Sequence, residues 1–222
     1  TISAKFNGME SVTDGISYSR DSGTNFKSTT AGRFMFSRTG GDWAGHPDYY
    51  DVPNQKFYSF CVDLDNTVSS GSTYTYTVGD PADVSQIDVG EANDLALLWA
   101  NAPFDNDGTV FDSDDRAAFQ AVVWEIVYET SGTYDLGAGL FQVTGLKSGA
   151  VTAASAWLTE LNKTTRTWTD TAILKVMYGS AQDQIFEVSG GGDNVVPLPS
   201  SALAGMAFLG MLAVVRIRRK RH

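Results

Sequence analysis

Through the first ninety residues, short segments that alternate apolar and polar positions are separated by Gly, Asp and Asn. This period of two predicts strands at Ile2–Phe6, Ile16–Arg20, Arg33–Ser37, Phe57–Leu64 and Thr73–Val78. Asp14-Gly15, Asp21-Ser22-Gly23 and Gly40-Gly41 read as turns, because these residues tolerate positive φ. The period then lengthens. Leu95, Leu98 and Trp99 predict a helix over Glu91–Ala102 that stops before Pro103. A second helix is expected from Ser113 or Asp114 to about Glu129, with Phe119, Val122, Val123, Ile126 and Val127 as its apolar stripe and Asp114 and Asp115 favouring its N-terminus. Ser148–Leu161 reads as a third, with Val151, Ala154, Leu158 and Leu161 inward. Strand patterns return at Ile173–Tyr178 and Gln184–Val188. Strands, then helices, then strands imply an α+β fold, a β-sandwich or barrel with a helical insertion over 91–161.

After Ser189 the pattern changes. Gly190-Gly191-Gly192-Asp193-Asn194 has linker composition. The expected organisation is a β-rich ectodomain over 1–189, a linker over 190–195 and a tail over 196–222. The tail reads Val196-Pro197-Leu198-Pro199, an uncharged apolar run over 202–215, then Arg216, Arg218, Arg219, Lys220 and Arg221. Such a run favours hydrocarbon, and the basic cluster favours the cytoplasmic face with its anionic lipids. A helix needs about 17–25 residues to cross a bilayer, so the run is barely long enough and predicts little tilt. A buried core helix is the alternative, but the run has no polar face. This order of Pro-containing motif, apolar helix and basic terminus resembles the PEP-CTERM sorting signal of Gram-negative bacteria over about the last 27 residues. The resemblance implies an exported protein, held transiently in the inner membrane, whose tail is recognised and cleaved by an exosortase. The family's usual acidic residue between the prolines is Leu198 here, a Val-Pro-Leu-Pro form of the motif. The chain opens at Thr1 directly on strand-like sequence, which reads as a signal peptide already removed.

Charge narrows the partners. The formal net charge is −10, and the five positive charges at 216–221 leave −15 on residues 1–215. So acidic an ectodomain argues against binding nucleic acid or other polyanions. Cys61 is the one cysteine in the chain, so no intrachain disulfide can form. An unpaired thiol in an exported protein calls for a reason.

Two segments supply a reason. In Phe57-Tyr58-Ser59-Phe60-Cys61-Val62-Asp63-Leu64, strand alternation sets Phe60, Val62 and Leu64 on one face and Ser59, Cys61, Asp63 and Asp65 on the other. Cys61 thus falls with the polar set, whereas a structural cysteine packs as a small hydrophobe. In Ala117-Ala118-Phe119-Gln120-Ala121-Val122-Val123-Trp124-Glu125-Ile126, Gln120 lies at the margin of the apolar stripe, where a partly desolvated amide must find a partner. Phe60-Cys61-Val62-Asp63 together with Gln120-Ala121-Val122-Val123-Trp124 resembles the paired strand and helix motifs of the internal-thioester domains of bacterial surface adhesins. The resemblance implies that the Cys61 sulfur attacks the Gln120 carboxamide and expels ammonia. Phe60, Asp63 and Trp124 would then form the surroundings of the bond. An amine or hydroxyl on a partner protein or polysaccharide would later take the acyl group in a single turnover, which makes the domain a covalent binder and not an enzyme. The two motifs are 59 residues apart, closer than expected for the larger Gram-positive adhesins.

Other groups offer less. Asp105-Asn106-Asp107-Gly108 with Asp112, Ser113, Asp114 and Asp115 has the oxygen density of a calcium loop, but Pro103 stands where an EF-hand would place a ligand. A solvated acidic loop leading into a helix cap explains the same residues. His46 is the one histidine besides His222, so neither a zinc site nor a Ser-His-Asp triad is supported, and no metal or cofactor is expected. Glu125 and Glu129 are one turn apart and read as exposed helix carboxylates rather than a glycosidase pair. Against the thioester stands a non-covalent structural or carbohydrate-associated matrix protein in which Cys61 is an ordinary thiol.

Overall fold

The computed structural model describes residues 1–41, 56–102, 112–179 and 181–188, and the backbone alone at 11–14. The linker at 190–195, the sorting motif Val196-Pro197-Leu198-Pro199, the apolar run at 202–215, the basic residues from Arg216 to Arg221, His46, Pro103 and Asp105–Gly108 lie outside the described residues. Among the described residues no helix is long and apolar enough to cross a membrane.

The described residues form seven strands: β1 (Ile2–Ser19), β2 (Lys27–Gly40), β3 (Lys56–Cys61), β4 (Thr73–Gly79), β5 (Gln142–Thr144), β6 (Leu174–Tyr178) and β7 (Gln184–Glu187). Six of them close on themselves in the order β1-β2-β3-β7-β6-β4 and back to β1. Every pairing is antiparallel. The fold is therefore a mixed α+β barrel. Closure removes the unpaired edges that an open sheet would expose. Between β4 and β6 the chain inserts α1 (Val89–Asn101), α2 (Ser113–Tyr128), β5 and α3 (Ser148–Leu161).

β1 joins the two predicted segments Ile2–Phe6 and Ile16–Arg20 into one bent strand. Asp14-Gly15 is not a turn. The β1–β2 register shifts between Phe6 and Gly8 and again around Thr13, and Gly8 and Gly15 take φ of 116° and 77°. Such bulges bend a strand and increase its twist, so β1 pairs with β4 at its start (Ile2↔Tyr76) and with β5 at its end (Tyr18↔Val143). The Asp21-Ser22-Gly23 turn forms as predicted, with Ser22 and Gly23 at positive φ.

Aromatic clusters fill the core. Phe6, Phe34, Phe36, Phe57 and Phe186 are buried with ring centroids 5.2–5.7 Å apart in successive pairs. On the helical side, Phe60 meets Phe119 at 4.6 Å and Trp99 at 5.5 Å, and Phe119 meets Trp157 at 6.0 Å. Rings at these separations add attraction beyond their buried area.

α2 is the central helix. The sequence predicts an amphipathic helix, but every residue from Arg116 to Val127 is buried. A helix buried all round is enclosed on every side; here α1, α3, β1, β2 and β3 surround it. Gln120 is accordingly fully buried rather than marginal. Asp112 caps α2, accepting from the Asp114 and Asp115 N–H groups at 2.7 and 3.0 Å, as the helix-cap reading of this acidic stretch expects. α3 has the predicted bounds, with Ala154, Leu158 and Leu161 inward, but Val151 is exposed.

Candidate functional site at the β3–α2 junction

The site begins where β3 runs out of partners. β2 pairs with β3 as far as Phe34↔Ser59 and no further. On the other edge β7 continues beside it, and the Val62 N–H donates to the Asp183 carbonyl at 3.1 Å. Backbone groups of neighbouring strand residues point to opposite edges. The Cys61 N–H and C=O therefore face the side that β2 has left, in the interior, where unpaired backbone is costly.

Gln120 fills that gap. The Cys61 N–H donates to Gln120 Oε1 at 2.8 Å, and Gln120 Nε2 donates to the Cys61 carbonyl at 2.8 Å. The carboxamide stands in for the strand residue that is missing, one acceptor and one donor, and both residues are fully buried. The sequence expectation that this amide must find a partner is met by the residue singled out with it.

The sulfur has its own surroundings. β3 ends at Cys61, shorter than the predicted Phe57–Leu64, because Asp63 turns the chain: its Oδ1 accepts from the Asp65 and Asn66 N–H groups at 2.9 and 3.2 Å. This Asx turn folds Asp63 back over Cys61. The Cys61 thiol donates to the Asp63 carbonyl at 3.0 Å and its sulfur accepts from the Asp63 N–H at 3.3 Å. Of the predicted polar face, Ser59 and Cys61 are fully buried and Asp63 nearly so, while Asp65, beyond the end of the strand, is exposed. Burial pushes the Cys61 thiol up to about 12, although N–H groups of Trp124 and Asp63 work to lower it. Cys61 is thus a neutral thiol at physiological pH.

Trp124 and Tyr128 follow Gln120 at intervals of four, so all three lie along one face of α2. Trp124 is 1 % exposed, and its indole N–H has no full hydrogen-bond partner among the described residues. Its neighbours on that face, Gln120 and Tyr128, bond to Cys61 and to Val62 and Leu64, so Trp124 is held against this stretch of chain, and its N–H works to lower the Cys61 pKa. The Tyr128 hydroxyl accepts from the Leu64 N–H at 2.9 Å and donates to the Val62 carbonyl at 3.2 Å, fixing the turn. Tyr18 donates to the Leu64 carbonyl at 3.3 Å and packs on Trp124 with centroids 6.4 Å apart. Over this layer, Arg20 stacks on the Tyr128 ring at 5.3 Å and pairs with Asp65. Of the predicted surroundings, Trp124 and Asp63 adjoin Cys61, whereas Phe60 packs away from it, against Phe119 and Trp99. Tyr128 was not singled out from sequence; the four-residue repeat from Gln120 is the signal that finds it.

No family model, curated protein or solved structure matches this chain.

Glu125 and Glu129 correct the expectation of exposed carboxylates, since both are buried. Glu129 accepts from the backbone N–H groups of Thr130, Ser131, Leu140 and Phe141 at 2.7–3.2 Å. Burial raises its pKa, but these donors outweigh it, and the net shift is downward. Glu125 accepts from the Asp135 N–H at 2.6 Å, and its second oxygen is buried without a partner among the described residues. Burial pushes it up to about 8, so it stays largely protonated at neutral pH. The pair organises the loop between α2 and β5. Among the described residues no cluster of His, Cys, Asp and Glu is arranged to hold a metal.

Proposed function

We propose that this chain is an exported cell-surface or matrix protein that attaches covalently to a nucleophile-bearing partner through a Cys61–Gln120 thioester. The observation that carries this reading is the reciprocal contact of the Gln120 carboxamide with the backbone of Cys61, at 2.8 Å in each direction, inside a dry core. An amide is a poor acyl donor, so cyclisation depends on holding sulfur and carbonyl together. The backbone N–H that meets Gln120 Oε1 also stands where the oxyanion of a tetrahedral intermediate would form. In the reaction the sulfur bonds to the Gln120 carbonyl carbon, the carbon–nitrogen bond breaks, and the thiol proton leaves with the nitrogen as ammonia. A partner amine or hydroxyl then adds to the same carbon, and Cys61 departs as a thiol. The cycle runs once. The sorting tail belongs to the same proposal: Val196–Pro199, the apolar run and the terminal arginines would hold the exported protein transiently in the inner membrane, where an exosortase recognises and cleaves the tail.

The second reading, a non-covalent structural or carbohydrate-associated matrix protein, is favoured by one observation. The Cys61 thiol already donates to Asp63 and Gln120 already satisfies backbone, so each polar group is partnered without a covalent bond. Intact-mass measurement of the freshly purified protein separates the two. A mass short by one ammonia that methylamine adds back, and that Cys61→Ala abolishes, supports the thioester. A full mass with an alkylatable thiol in the unfolded chain supports the ordinary cysteine. The tail is tested separately. Removing residues 196–222 should release the barrel from membrane fractions of an exosortase-positive host, and unchanged fractionation would count against a sorting role.

A further inference from the structure

Resting on the thioester reading, we infer that Trp124 is the positioning residue for sulfur, its indole N–H supporting the Cys61 sulfur whenever it carries negative charge. Three observations converge. Trp124 lies one helical turn beyond Gln120, so the residue that presents the carbonyl and the residue that meets the sulfur are set by one rigid element. Its N–H is buried and unsatisfied among the described residues, a costly state that a role at another stage of a reaction accounts for. Gln120 and Tyr128, one turn to either side on the same face of α2, bond to Cys61 and to Val62 and Leu64, so Trp124 between them is set against the strand end that carries the only cysteine.

The chemistry assigns the moment at which that donor acts. When a partner amine adds to the Gln120 carbonyl carbon, the carbon–sulfur bond breaks and sulfur takes the electron pair. The proton lost by the amine ends on sulfur. Between those events Cys61 is a buried thiolate, which burial disfavours strongly. A nearby N–H that needs no reorganisation stabilises that charge where water is excluded. The Asp63 N–H at 3.3 Å is the second donor. Trp124 therefore favours departure of sulfur, while the aromatic wall of Tyr18, Trp124 and Tyr128 excludes water.

The test uses the full chain. Wild type and Trp124→Phe, which keeps an aromatic ring without the N–H, are compared for ammonia deficit by intact mass and for the rate of methylamine uptake across pH. The expected result is a deficit in both proteins. Uptake should be slowed about 10- to 100-fold in the variant, and alkylation of the released Cys61 displaced to higher pH. A variant with the wild-type rate and an unmoved pH profile overturns the inference while leaving the thioester intact. A wild type of full mass overturns the thioester itself, and the inference with it. A readout that needs no variant covers the case of misfolding: the indole resonance of Trp124 in ¹⁵N-labelled wild type, followed before and after methylamine. It should move as sulfur changes from thioester to thiol while the other four tryptophans hold still, and a stationary Trp124 signal would refute the contact.

Discussion

Gln120 and Glu129 stand far apart along the same helix, and each supplies hydrogen bonds that a missing strand would have made. At Gln120 the unpaired edge is one residue of β3, with an N–H and a C=O side by side, and a neutral carboxamide answers both. At Glu129 the unpaired groups are four N–H donors of the α2–β5 loop, and a carboxylate, an acceptor only, answers all of them. The comparison teaches that the composition of the gap selects the side chain. An amide suits a strand edge and brings no charge into the core; a carboxylate suits a nest of donors and is held ionised by them. Glu125 lies between the two on α2 and has one donor among the described residues, so it is neither neutral by nature nor fully satisfied as an ion.

The comparison is most severely tested at Gln120. Gln120→Ala strips both partners from the Cys61 backbone and leaves a cavity, and should cost about 3–5 kcal/mol in chemical denaturation. It should also give full mass whatever the state of Cys61. Next comes Glu129→Ala, which orphans four donors of the loop. A loss of about 2–4 kcal/mol is expected, with hydrogen exchange of the 130–141 amides accelerated while those of β3 stay protected; equal exchange in both regions would show that the two ends of α2 are not separate devices. Gly139→Ala is a smaller perturbation of the same loop. Gly139 sits at φ 93° and a Cβ there would collide with the Glu129 carboxylate, so about 1–3 kcal/mol should be lost.

Glu125→Gln has the smallest effect and the opposite sign. The folded value near 8 lies above the ordinary 4.5, so between them the folded protein keeps a proton that the unfolded chain has shed. Stability therefore falls as pH rises through this window, and the penalty is complete above the folded value. Glu125→Gln should flatten that slope and stabilise the protein by about 1–2 kcal/mol at pH 9, measured by denaturation at pH 5 and pH 9. An unchanged slope would place the titration elsewhere.

Much of the fold was legible because its elements are long relative to their periods. α3 was read to its ends, and α1, β4 and β6 to within two residues. What escaped was set by tertiary context. β5 has three residues, too few for alternation to register. Asp14-Gly15 has turn chemistry, but the same left-handed freedom serves a bulge within β1. Glu125 and Glu129 looked solvated because carboxylates on helices usually are; only the enclosing loop and the burial of α2 from every side show otherwise. The hydrogen-bonded contact of Gln120 with the Cys61 backbone joins two residues that the motif letters single out, while the reason for it, an edge that β2 abandons after Ser59, belongs to a register that no local pattern contains.

The place of β7 has a mechanical consequence. This strand is wedged between β3 and β6, with Gln184 beside Cys61, and it ends at Glu187. A tether formed at Gln120 and pulled against the downstream chain would stretch β7 along its own axis. The ladders on both of its sides would then resist together, in shear, instead of opening one bond at a time as a peeled hairpin does. Under tension the barrel's lifetime would be governed by how fast those ladders fail at once, so a covalent hold at this junction would be matched by a load path suited to bear it.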